Sequence, residues 1–240
     1  MKTHLKTSIV KYLKKGAFIF ILPLLFSCLD QGDPIELPPV AYLSIYHASP
    51  DAPGLDLYVE NTRINHQAVF YSNRINYTRF RTGERFFRFT PFNGFNTLHE
   101  NSHFLERDKI YSLFITNTVS NMSTLLIEDN WTTPASGNAK LRSLHLSPDL
   151  GEVNIRLSRE GGEVTQNGSF ELVSNFEEVT AGVYSIEVIS PVTGEILVNA
   201  NNMELFDGRI YTLIIRGFQT PVGGSTNGLA LQLLTNYNTL

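Results

Sequence analysis

His47, Ser49 and Asp51 bring the three side-chain types of a hydrolase triad into one short run, Tyr46-His47-Ala48-Ser49-Pro50-Asp51-Ala52-Pro53. Nucleophilic catalysis needs hydroxyl, imidazole and carboxylate to converge on one point. Residues at i, i+2 and i+4 of a strand running into a Ser-Pro turn do not converge. Pro50 fixes φ, and Asp51 can accept backbone N–H bonds in an Asx-type turn, so the run reads as the turn that ends a strand. A second chemical candidate is His99-Glu100-Asn101-Ser102-His103, which matches the zinc-hydrolase pattern H-E-x-x-H. That pattern puts both imidazoles on one face only in a helix, and the flanks 95–98 and 104–106 read as strand and turn. Asp51, Asp56 and Glu60 could be recruited by a metal, yet the histidines beside them, including His66, lack paired ligand spacing. No catalytic residue, metal ligand or cofactor is assigned. Tyr58, Tyr71, Tyr77 and Trp131 could form a glycan platform, although tyrosine is also an ordinary half-buried strand residue.

The run starting at Tyr46 recurs as Leu144-His145-Leu146-Ser147-Pro148-Asp149, an offset of 98 residues. Other landmarks keep nearly the same offset. Leu55-Asp56-Leu57-Tyr58-Val59 matches Val153-Asn154-Ile155-Arg156-Leu157 in phase, Gly83 matches Gly182, and Pro91 matches Pro191. Asn93-Gly94 matches Thr193-Gly194, and the Ile110-Tyr111-Ser112-Leu113 core matches Ile210-Tyr211-Thr212-Leu213. A period of one domain length marks a duplicated module, so the paired motif His47, Ser49, Pro50, Asp51 and His145, Ser147, Pro148, Asp149 is read as structural.

The His-x-Ser-Pro-Asp-x-Pro turn followed by Leu-Asp-Leu-Tyr-Val resembles the DUF4397 family of bacterial domains of unknown function. The resemblance covers 40–130 well and 139–240 more loosely, since Leu150-Gly151 replaces Ala52-Pro53 and Asn154 replaces Asp56. It implies β-sandwich modules of secreted or surface-anchored proteins, and it carries no catalytic residue.

The positions that must hold these motifs are short alternating or β-branched runs separated by turn residues, without a helical period. In the first repeat they suggest strands at 41–47, 55–60, 67–71, 85–90, 97–100, 109–117 and 124–128. In the second they suggest 140–146, 153–158, 169–173, 183–189, 195–199, 210–216 and 229–235. Seven strands in each repeat suit an immunoglobulin-like sandwich. The expected fold is all-β: two tandem immunoglobulin-like β-sandwich modules at 40–130 and 139–240, joined by a turn-rich linker at 131–138.

Five lysines precede a short apolar run at 17–26, the layout of an export signal too short to span a membrane. It ends in Leu25-Phe26-Ser27-Cys28, which resembles a bacterial lipobox. Cys28 is the single cysteine, so neither an internal disulfide nor a thiolate cluster competes with lipidation. Residues 1–27 thus read as a lipoprotein signal, Cys28 as the acylated residue, and 28–39, rich in proline and acid, as a tether. Cleavage removes five of the 19 basic residues and none of the 23 acidic ones, which makes the exported part acidic and argues against nucleic-acid binding. The expectation is a lipid-anchored envelope protein, on the periplasmic or surface face of the outer membrane, with a non-catalytic binding or structural role. Its expected partners are the membrane, through the lipid, and envelope proteins or glycans. A carbohydrate-binding accessory protein and a zinc hydrolase using His99, Glu100 and His103 stand as alternatives.

Overall fold

A strand with one apolar face cannot bury that face alone, so a chain built from such strands must stack them as sheets. The computed structural model describes residues 38–221 and 224–237. The signal, Cys28 and nearly all of the tether lie outside these described residues. The first repeat comprises β1 (Val40–His47), β2 (Leu55–Val59), β3 (Thr62–Arg63), β4 (Arg74–Arg81), β5 (Gly83–Pro91), β6 (His99–Leu105), β7 (Ile110–Thr116) and β8 (Ser123–Glu128). The second comprises β9 (Asn138–His145), β10 (Val153–Arg159), β11 (Gly162–Gly168), β12 (Glu177–Thr180), β13 (Gly182–Ile189), β14 (Ile196–Leu205), β15 (Ile210–Arg216) and β16 (Ala230–Tyr237).

These strands form four four-stranded sheets, ordered β4-β1-β7-β8 and β3-β2-β5-β6 in the first repeat, β12-β9-β15-β16 and β11-β10-β13-β14 in the second. The all-β fold with two sandwich modules is therefore as the periodicity predicts. Both repeats place a parallel pair at the centre of one sheet: β1–β7 in a register that sets Tyr42 against Ile110, and β9–β15 in one that sets Lys140 against Ile210. The motif's offset thus reappears in the strand pairing.

Leu43, Leu57, Phe87, Phe89 and Leu113 fill the first sandwich, and Leu141, Ile155, Ile186, Val188 and Leu213 fill the second. Each such side chain contributes about 1.5–3 kcal/mol by burial. A third apolar layer lies between the repeats, where Tyr46, Ala48 and Phe114 of the first meet Leu144, Leu146 and Ile214 of the second. The two inner sheets are consequently buried on both faces, and the four sheets stack in succession.

Several elements differ from the sequence expectation. Segments 67–71 and 169–173 are loops that touch their sheets through single bridges, Leu55 to Val69 and Leu144 to Val173. The strands next to them are β4 and β12. In β4 the alternation is broken because the register against β1 shifts between Leu43 and Ile45, which moves the inward set from one parity to the other. Strands β11 and β12 are edge strands with mostly exposed polar side chains, so they carry little periodic signal. The strand expected at 97–100 runs instead over His99–Leu105 as β6.

Candidate functional site

Where β1 ends, His47 is fully buried and both ring nitrogens meet backbone groups: Nδ1 accepts the Ser49 N–H at 3.3 Å, and Nε2 lies 3.3 Å from the Pro53 carbonyl. A backbone N–H can only donate, so the ring proton resides on Nε2 and is given to Pro53. Burial disfavours the imidazolium and lowers the His47 pKa to about 4. His145 repeats the arrangement, with Nδ1 accepting from Ser147 N–H at 3.2 Å and Nε2 3.1 Å from the Gly151 carbonyl, and burial lowers its pKa as well. Tyr71 and Phe170 stand edge-on to the two imidazoles at 6.3 and 6.4 Å.

The aspartates reach the opposite way. Asp51 Oδ1 accepts the Val119 N–H at 2.8 Å, at the start of the 3₁₀ turn Val119–Asn121 between β7 and β8. Asp149 accepts the N–H groups of Gln219 and Thr220 at 2.7 and 2.8 Å in the matching connection of the second repeat. Ser49 Oγ is buried and bonds neither imidazole nor carboxylate among the described residues. The chemistry of the motif is that of a latch: the histidine closes its own turn and the aspartate ties that turn to a neighbouring loop.

The latch delivers Gly54 to a crowded point. A Cβ there would lie 2.9 Å from both Ala68 and the Phe70 ring, and the Gly54 carbonyl accepts the Phe92 N–H at 2.8 Å. Phe70, Phe92 and Phe95 are all exposed, Phe95 at 96 %. Their setting depends on buried Asp56, which pairs with Arg63 at 2.9 Å and accepts the Asn93 N–H at 2.8 Å, while the Arg63 guanidinium lies 5.0 Å from the Phe92 ring centre. Asn93 takes a positive φ of 56° at this hairpin tip. The second repeat has Asn154 and Val192 where the first has Asp56 and Phe92, so the aromatic loop end belongs to the first repeat alone.

His99, Glu100 and His103 lie on the strand β6 rather than on a helix. The His99 ring stacks on Phe89 at 6.1 Å, and His103 Nε2 is 2.8 Å from Thr124 Oγ1. Four residues along a strand place the two Cα atoms roughly 13 Å apart, without the helical turn that would set both imidazoles on one ion. Asp51 and Asp56 are bonded as above, and Glu60 faces Arg85 at 3.5 Å. Among the described residues no group of three His, Cys, Asp or Glu side chains could hold a metal.

The aromatic residues considered for glycan do not share one sheet face. Tyr58 lies under the Arg88 guanidinium at 4.1 Å on the outer sheet. Tyr71 stands beside His47 near the junction with the second repeat, where the Arg216 guanidinium is 5.2 Å from its ring centre. Tyr77 and Trp131 meet edge-to-face at 6.0 Å, and Trp131 meets Phe176 in the same way at 5.9 Å.

Below these rings is a polar ring that motif reading missed. Arg142 Nη2 and Asp129 Oδ1 form an ion pair, the Arg142 guanidinium sits 4.4 Å from the Phe176 ring centre, and Asp129 Oδ2 accepts from Tyr77 and Ser112 at 2.8 and 2.7 Å. Arg142 Nε donates to Thr212, Thr212 to Asn236 and Asn236 to Tyr77, at 2.9, 2.6 and 3.0 Å. The circuit crosses between the repeats twice. Burial, with Asp129 beside it, raises the Tyr77 pKa, so the phenol keeps its proton as a donor. The available sequence signal was an arginine inside the apolar strand β9.

No curated protein matches the chain. One family match begins in β1 and ends in β10. Residues 41–156 carry one detected DUF4397 domain, a domain of unknown function.

Proposed function

We propose that the protein is a lipid-anchored component of the cell envelope whose role is to bind or to build, not to catalyse. The non-catalytic part rests chiefly on one observation: in both repeats the motif histidine spends its two ring nitrogens on backbone groups, which leaves neither imidazole free to act as a base on Ser49 or Ser147. The anchoring part rests on Cys28, the single cysteine, directly behind a short apolar run with a basic start. The acidic residues that follow it, Asp30 and Asp33, resemble surface-export signals of lipoproteins, and the proposed location is the outer membrane, on its periplasmic or surface face.

We also infer that 139–240 is a second, diverged copy of the DUF4397 unit. Its sheet order, its parallel central pair and its latch repeat those of the first.

The test is fractionation of cells expressing the full chain and its Cys28→Ser form, combined with metabolic labelling by a radioactive fatty acid. The wild type is expected to carry label and sediment with the outer membrane. The Ser form is expected to lose the label and appear in the soluble envelope fraction, and a Ser form that stays membrane-bound would refute the anchor.

A further inference from the structure

Ile110 and Ile210 open β7 and β15 at equivalent places, and both line a cleft of about 530 Å³ at the meeting of the two repeats. Trp131, Thr132, Thr133 and Pro134 cross over from the end of the first repeat and complete the lining. A volume of this size falls within the ~300–1,000 Å³ of small-ligand sites. The walls join flat apolar surface to hydroxyls.

We propose that this cleft binds a neutral saccharide, with one pyranose ring seated on Trp131 and ring hydroxyls directed to Thr132 and Thr133. The lining residues carry no charge, and Lys140 donates a hydrogen bond to Thr132 Oγ1. No lining side chain could pair with a charged ligand, whereas a pyranose offers a C–H face to an indole and a hydroxyl rim to threonines. The indole is held in advance, edge-to-face with Tyr77 and with Phe176, so little side-chain freedom remains to be lost on binding. Tyr77 in turn is fixed by Asp129 and Asn236. The inference rests on the binding role proposed above and names its ligand class.

Trp131 is the sole tryptophan of the chain, so intrinsic emission on selective excitation reports this cleft. The full chain in detergent would be titrated with maltohexaose, cellohexaose, xylohexaose, mannohexaose and N-acetylchitohexaose, with calorimetry in parallel. At least one probe is expected to shift the emission saturably, and the Thr132→Val/Thr133→Val double variant to weaken that probe by about tenfold or more. Thr133→Arg, at an exposed lining position, is expected to abolish binding by filling the cleft while circular dichroism remains that of the wild type. Calorimetric binding that leaves Trp131 emission and both variants unaffected would overturn the cleft assignment while upholding the binding role. Silence of all five probes in both measurements would overturn the saccharide inference, and the Cys28 fractionation would still decide the anchor separately.

Discussion

Arg142 Nη2 lies 2.5 Å from Asp129 Oδ1, with 2 % and 0 % of the two side chains exposed, and the pair joins one repeat to the other. Removing one partner leaves a charge with neither water nor counter-ion, at a cost of about 3–5 kcal/mol, whereas replacing both by apolar groups is often neutral. Arg142→Met and Asp129→Leu are each expected to lose that much stability in urea denaturation. The double variant is expected to recover most of it, and simple addition of the two losses would contradict a coupled pair.

The apolar layer between the repeats makes them one cooperative unit. Phe114→Ala removes a ring 5.9 Å from Tyr46 at the centre of that layer and is expected to cost about 3–5 kcal/mol. Calorimetry of the full chain should show a single transition that Phe114→Ala shifts as a whole. Two separate transitions, one of them unmoved, would show that the repeats unfold independently.

Stability should fall with acid before the carboxylates titrate. A histidine titrates near 6.5 in the unfolded chain and His47 near about 4 in the fold, so between these values the unfolded state holds the extra proton. The contribution is complete above pH ~6.5 and declines towards pH ~4, by roughly 3 kcal/mol for His47, and His145 acts in the same direction. Urea midpoints measured from pH 7.5 to 4.5 should show this slope. His47→Gln should flatten it, and an unchanged slope in that variant would assign the effect elsewhere.

Asp149 holds two N–H groups of the 218–228 loop, while Asp51 holds one of the 117–122 loop. Asp149→Ala should therefore cost more than Asp51→Ala, with about 1–3 kcal/mol for each donor left without its acceptor. Limited proteolysis offers a local readout: cleavage within 218–228 should accelerate in Asp149→Ala and stay unchanged in Asp51→Ala.

The duplication and the β class were legible in the sequence because both rest on spacing, which survives substitution. The latch was partly legible: Ser-Pro-Asp announces a turn, but nothing along the chain says that His47 points back to Pro53 or that Asp51 reaches Val119, 68 residues on. Strand β4 was hidden by its register shift, and β11 and β12 by lying at sheet edges. The Arg142 circuit was the least legible. On a strand an arginine at every other position signals a solvated face, and only the stacking of a second sheet on that face turns the same residue into a buried one. Its partner, Asp129, lies just past β8 and looks like part of a polar connection.

Superimposing the two repeats by their strand registers puts Arg142 on Ser44, Thr212 on Ser112, Asn236 on Asp129 and Phe176 on Tyr77. The halves that face each other are alike in shape and unlike in charge. Two first halves brought together in the same way would confront two carboxylates with no guanidinium, and two second halves two guanidiniums with no carboxylate. Each half thus recognises its complement and rejects its own kind. Copies crowded side by side are therefore discouraged from pairing like halves, a safeguard that an exact duplicate would lack.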